Sequence, residues 1–392
     1  LLTKAHVGIA GRENTSGFAG WVGRESPGDA NAVNILLEAG AMIYARTNEP
    51  QGLMSIETCN NITGNTVNPY NTDLSASGSS GESALQALHG SPLGIASDIG
   101  GSIRVPAANY GLYGLKPTTG RLPLIGLAAH MLGCETIMPT IGHLSPTLGR
   151  VGSLNANRAR ESYIHKNGKK LTVGAIWNDG EVTPAPPVTR ALREVVERLK
   201  IAPDVDVIEW KPYQQYFEKD SMLTVRCQTR LYNPDEGEAF ARNLEFSGEP
   251  YASLTAWAAR DAPGIEKLSH QGEWNTVALE MDVILCPVYP TPAPQLHTSR
   301  YRGYASIWNL LDYPALVFPV TKIQPERDAK DPVYTPQNEF DRWCYDHYDA
   351  VAQQDAPVAL QLVATKLEDE NLVQGFKEIK EKIGLPFVDC LG

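Results

Sequence analysis

Residues 75–104 read Ser-Ala-Ser-Gly-Ser-Ser-Gly-Glu-Ser-Ala-Leu-Gln-Ala-Leu-His-Gly-Ser-Pro-Leu-Gly-Ile-Ala-Ser-Asp-Ile-Gly-Gly-Ser-Ile-Arg. Two clusters of small residues, around 77–81 and 97–102, bracket a predicted helix at 82–88 and a predicted buried strand at 92–97. Such clusters let backbone N–H groups approach a ligand and permit turns that a side chain would block. A phosphate cradle would need Gly-x4-Gly-Lys-Ser/Thr, which is absent. A hydrolase nucleophile elbow would need Gly-x-Ser-x-Gly, but Ser102 is followed by Ile103 and Arg104. No Ser has a Lys three positions on, so a β-lactamase-type centre is also missing. On the residues alone, plain turns remain the commoner reading.

The surrounding pattern is α/β. Residues 188–200 place Leu192, Val195, Val196 and Leu199 at helical spacing behind Pro186-Pro187, and residues 368–383 do the same with Leu372, Phe376, Ile379 and Ile383 before Gly384. A further helix is expected at 29–39, with Val33, Leu36 and Leu37 on one face. Short apolar strands are expected at 41–46, 171–177, 205–210, 283–286, 316–320 and 359–364. Alternation of this kind predicts a parallel or mixed sheet covered by helices. Residues 149–170 and 325–339 are polar and unpatterned, and read as surface excursions.

Composition removes other classes. The chain carries 34 basic and 45 acidic side chains in 392 residues, a net charge of −11, so it lacks the basic stripe of a nucleic-acid binder. No run approaches the roughly 18 apolar residues of a membrane span. Six scattered cysteines without CxxC or Cys/His spacing argue against a disulfide scaffold or a structural zinc, and fit a cytoplasmic protein with reduced thiols. The 34 Gly and 28 Pro exceed the combined average of about 12%, so many turns are demanding. His89, behind the first predicted helix, reads as a surface or packing residue. The run Tyr345–Asp349 reads as a solvated face and not as a metal site.

The spelling of the small-residue block carries more. Asp98-Ile-Gly-Gly-Ser-Ile-Arg-Val-Pro-Ala107 with Gly78-Ser-Ser-Gly-Glu82 resembles the amidase signature family. Gly111-Leu-Tyr-Gly-Leu-Lys-Pro-Thr118, Gly120-Arg-Leu-Pro123 and Thr47-Asn-Glu-Pro-Gln-Gly-Leu-Met54 extend the resemblance. Ile284-Leu-Cys-Pro-Val-Tyr-Pro-Thr-Pro-Ala-Pro294 and Ser306-Ile-Trp-Asn-Leu-Leu-Asp-Tyr-Pro-Ala315 resemble its fungal acetamidase-like branch. The resemblance covers nearly the whole chain. It implies one amidase domain over 1–392 with the amidase signature fold, a large mixed β-sheet covered by helices on both faces. It also implies that the domain is truncated at its front. Connections near 150–169, 221–231 and 260–274 look short against the family, so breaks are expected there.

The resemblance implies a Ser-Ser-Lys triad: Ser102 as nucleophile, Lys4 as base and Ser79 as the bridging hydroxyl. Gly17-Phe-Ala-Gly-Trp21 anchors Lys4, although Ala5 stands where the family has Asp. The Ser/Gly loop is one Gly short, and an ungapped count from Ser102 would give Gly78 in place of Ser79. A hydroxyl is inert without a base, and Lys serves only when neutral, so burial without a carboxylate partner is expected around Lys4. Backbone N–H groups of Ile99, Gly100, Gly101 and Ser102 are the expected oxyanion donors. Asp98, Arg104 and Ser80 are expected to support the turn, and Met54 to line the substrate site. The function implied is hydrolysis of a small-molecule carboxamide through an acyl-enzyme on Ser102, with no cofactor and no metal. A homodimer is an allowed assembly. The alternatives are a glutaminase-type amidotransferase subunit and an inactive binding protein on the same fold.

Overall fold

The computed structural model describes residues 1–78, 81–131, 133–153, 170–210, 232, 235, 237–252, 254–258 and 281–391. Its centre is one ten-stranded sheet. In chain order the strands are β1 (Leu2–Lys4), β2 (Ala45–Thr47), β3 (Gly94–Asp98), β4 (Tyr113–Lys116), β5 (Thr140–Ser145), β6 (Leu171–Ala175), β7 (Val205–Glu209), β8 (Val283–Pro287), β9 (Ala315–Lys322) and β10 (Pro357–Val363). Their spatial order is β7-β6-β8-β10-β9-β4-β5-β3-β1-β2. The sheet is mixed, as expected. Parallel pairs lie toward the edges, β2 with β1, β1 with β3, β8 with β6 and β6 with β7. The pairs between them are antiparallel.

Both faces are covered. The described helices are α1 (Asn31–Glu38), α2 (Gly81–Ala87), α3 (Arg104–Tyr110), α4 (Leu148–Ser153), α5 (Pro186–Ile201), α6 (Glu238–Ser247), α7 (Gly303–Leu310), α8 (Glu339–His347) and α9 (Asp369–Ile383). The period of two along β9 sends Leu316, Phe318 and Val320 into the cluster with α5 and α9, while Val317 joins α2 and α3 on the opposite face. The α5 residues Leu192, Val195, Val196 and Leu199 are all buried, as their spacing predicts. Gly384 stops α9 in the left-handed conformation at φ 71°.

Two differences matter. Leu37 was expected on the inner face of α1 but is 43% exposed, because the helix turns Ala32 and Val33 inward instead. Strands β1, β4 and β5 and helices α3, α4, α6, α7 and α8 were not anticipated as elements. The expected breaks near 150–169, 221–231 and 260–274 fall largely outside the described residues.

Candidate active site

The parallel edge of the sheet brings the signature segments together. Register pairs Lys4 with Thr47 on β2 and Thr3 with Ile95 on β3. Lys4 therefore ends its strand beside the C-terminal end of β3, where the Gly-Gly-Ser loop begins. Its Nζ, fully buried, donates to the carbonyls of Ser97 at 2.8 Å and Ser102 at 3.4 Å.

Asp98 and Arg104 hold the loop from inside. Asp98 Oδ1 accepts from the Gly101 N–H (2.9 Å), Arg104 Nη2 (3.0 Å) and Asn309 Nδ2 (2.9 Å). Asp98 Oδ2 accepts from the Ile103 N–H (3.0 Å) and Arg104 Nε (3.1 Å). Arg104 also donates to the Ala305 carbonyl and Asn309 Oδ1, each at 2.6 Å. Burial alone would raise the Asp98 carboxyl, but the Arg104 guanidinium and these donors hold it well below the usual carboxylate range. Thus the Ser306–Ala315 segment, through Asn309 on α7, locks a loop two hundred residues away in sequence.

Space and backbone conformation require glycine at 101 and leave little room at 100. Gly101 sits at φ 118°, and a Cβ there would lie 2.8 Å from Ala305 Cβ. A Cβ on Gly100 would come within 3.2 Å of Tyr232 Oη. Tyr232 donates to the Ile99 carbonyl at 2.5 Å. Because the peptide is planar and trans, the Gly100 N–H faces away from Tyr232. Of the four expected oxyanion donors, the Gly101 N–H donates to Asp98 Oδ1. Among the described residues, the N–H groups of Ile99, Gly100 and Ser102 have no such partner.

The electrostatics around Lys4 also differ from expectation. Burial lowers its ammonium pKa, but three carboxylates, Glu82, Asp98 and Glu49, oppose that shift. Glu82, on α2, is itself pushed up to about 7 by burial, against the pull of Lys4 and a 2.9 Å hydrogen bond from Thr47 Oγ1. Glu49 accepts from both the backbone N–H (2.9 Å) and Nδ1 (2.7 Å) of His6. Glu49 and Glu82 lie inside the quoted motifs, yet nothing in the spelling assigns them to Lys4; only the strand register does. Tyr232 stands outside every motif.

Ser102 is almost buried and lines a cavity of about 210 Å³. Met54, 4% exposed, lines it too, with Ile99, Leu124, Leu127, Met131 and Ile137. Ser79 and Ser80 lie outside the described residues. Gly78 is described, and a Cβ there would fall 2.3 Å from the Ser55 carbonyl oxygen, so that position has no room for a side chain. His89 is exposed beyond the end of α2, away from this centre. A larger hollow of about 780 Å³ lies against the start of α5, but none of the expected site residues line it.

A Schizosaccharomyces pombe protein whose name places it among the amidases is 36% identical, over 96% of this chain and 75% of its own length. The acetamidase of Emericella nidulans is 32% identical, over 97% of this chain and 76% of its own. A solved fatty acid amide hydrolase superposes with a TM-score of 0.89 at 29% identity, covering 99% of this chain and 73% of that one. The profile of the family described as Amidase matches residues 1–233 and 249–373, and the chain belongs to that family.

Proposed function

We propose that this amidase cleaves a carboxamide C–N bond through an acyl-enzyme on Ser102, with Lys4 as base and Ser79 as the bridging hydroxyl. The observation that carries the reading is the buried Lys4 Nζ, 3.4 Å from the Ser102 carbonyl at the wall of a cavity. In the first half-reaction Ser102 Oγ attacks the amide carbonyl, and its proton passes through Ser79 to neutral Lys4. The N–H groups of Ile99, Gly100 and Ser102 receive the developing oxyanion. The tetrahedral adduct collapses, the C–N bond breaks and the proton returns to the departing nitrogen. Water then attacks the ester by the same relay, releasing the carboxylate and restoring Ser102.

Ser79 is the bridging hydroxyl because the Ser79-Ser80 pair supplies the side-chain oxygen that Gly78 lacks. Burial favours neutral Lys4, the form the base needs. The carboxylates nearby limit how far that goes, so the base titrates within a network and not alone. The inactive-protein alternative rests on Ala5 and the shortened Ser/Gly loop; the amidotransferase alternative calls for a partner protein and glutamine. Ser102→Ala, assayed for ammonia release from aliphatic and aryl amides, is expected to lose at least 1,000-fold in rate, in the range of nucleophile deletions. Full retention of hydrolysis would refute the reading.

A further inference from the structure

The cavity beside Ser102 has a chemical character that the motifs do not reveal. Its walls are mostly apolar, with Met54, Ile99, Leu124, Leu127, Ile137 and Met138; the polar side chains His6, Ser97, Cys134 and Tyr232 also reach it, His6 being held by Glu49, and no Asp, Glu, Lys or Arg lines it among the described residues. His130, also in the wall, packs edge-on against Phe18 and Phe240, and burial pushes its imidazole down to about 4, so it too is uncharged near neutral pH.

Size adds a second constraint. A dry apolar cavity of roughly 150 Å³ holds a benzene ring. The 210 Å³ here therefore accommodates an aryl ring with a short spacer, or an alkyl chain of similar bulk. An acetyl group would leave most of that space without contacts. An amino-acid acyl part such as that of glutamine would have to bury an ammonium and a carboxylate with no countercharge among the described lining residues.

We infer that the acyl site of this chain selects uncharged, apolar acyl groups of about five to eight carbons, in preference to acetyl or glutaminyl groups. The inference rests on the assignment of Ser102 as the reacting centre. It separates this chain from the acetamidase named among its relatives, despite 32% identity to it. The reaction is RCONH2 + H2O giving RCOO⁻ and NH4⁺, with R seated in the cavity and the carboxamide at Ser102.

The test is ammonia release from acetamide, butanamide, hexanamide, phenylacetamide and L-glutamine. Each methylene transferred into the cavity is worth about fourfold, so hexanamide is expected to exceed acetamide in kcat/KM by on the order of 100-fold. Phenylacetamide is expected to match hexanamide, and glutamine to fall below acetamide. A flat series, acetamide as the best substrate, or efficient glutamine hydrolysis would overturn the inference. Ala129→Phe, in the cavity wall, is expected to lower the hexanamide-to-acetamide ratio at least tenfold; an unchanged ratio would place the acyl group elsewhere. Calorimetric binding of the same amides to the Ser102→Ala protein separates the two claims. Tighter binding of hexanamide than acetamide supports the cavity assignment, and equal binding refutes it. Retained hydrolysis by that variant would instead refute Ser102 as nucleophile while leaving the chain-length series readable.

Discussion

Arg104→Met tests how the nucleophile loop is held. Arg104 is fully buried, and its guanidinium reaches Asp98 at 3.0 and 3.1 Å, the Ala305 carbonyl at 2.6 Å and Asn309 Oδ1 at 2.6 Å. Methionine approximates the volume but leaves the Asp98 carboxylate buried with only neutral donors. Breaking one side of a buried ion pair costs about 3–5 kcal/mol. With an unfolding entropy of about 2.1 cal/mol/K per residue over 392 residues, a loss near 4 kcal/mol lowers Tm by about 5 °C. The assay is thermal unfolding followed by circular dichroism, with amide hydrolysis measured well below both transitions. Hydrolysis is expected to fall by more than 100-fold even in folded protein, because the Gly101 and Ile103 N–H groups depend on the Asp98 position that Arg104 fixes. Arg104→Lys is expected to recover part of the stability but little activity, since an ammonium cannot fork to three elements at once. A Tm within 1 °C of the parent, or normal hydrolysis by folded Arg104→Met, would refute the claim that this pair sets the loop.

Three further expectations follow from other groups. Glu82→Gln removes a carboxylate that favours the Lys4 ammonium, so the limb of the kcat/KM profile that rises with pH as Lys4 loses its proton is expected to move to lower pH; an unmoved limb or one shifted to higher pH would contradict that coupling. His143, buried in β5 and held down to about 4, is neutral in the folded protein, whereas the unfolded chain takes up the proton first as pH falls below 6.5, the ordinary value for histidine. Its contribution is intact above 6.5 and is lost as pH falls toward 4, by about 3 kcal/mol in all. His143→Leu should flatten the stability profile in that window, as read by denaturant titration; an unchanged slope would show that other groups dominate. Gly101→Ala forces a Cβ to 2.8 Å from Ala305 at a φ of 118°, and is expected to reduce hydrolysis at least 100-fold with only a modest loss of Tm; wild-type rates would show that the loop tolerates another backbone path.

What could be read from the sequence depended on contrast between buried and exposed positions. Helices α5 and α9 have one wet face, and their apolar spacing marked them to within two residues. Helix α3 is buried at all seven positions and contains Pro106, so it shows no amphipathic period. Strand β5 is buried throughout yet carries Thr140, His143 and Ser145, and β1 ends on a buried lysine, so neither has the composition of a core strand. The signature spelling located the Gly-Gly-Ser turn and its Asp98–Arg104 support. It could not show that Gly101's N–H faces inward, that Glu49 and Glu82 converge on Lys4, or that Leu124, Leu127, Ile137 and Met138 wall the cavity. Those facts arise from strand register and chain return, which leave no local pattern.

The central claim is that Lys4 activates Ser102. Fluorophosphonate labelling of the native protein, followed by peptide mapping, measures it most directly. The account predicts a single adduct on Ser102 and a labelling rate reduced at least 100-fold in Lys4→Met. Modification of a different serine, or equal labelling of Ser102 in Lys4→Met, would contradict it.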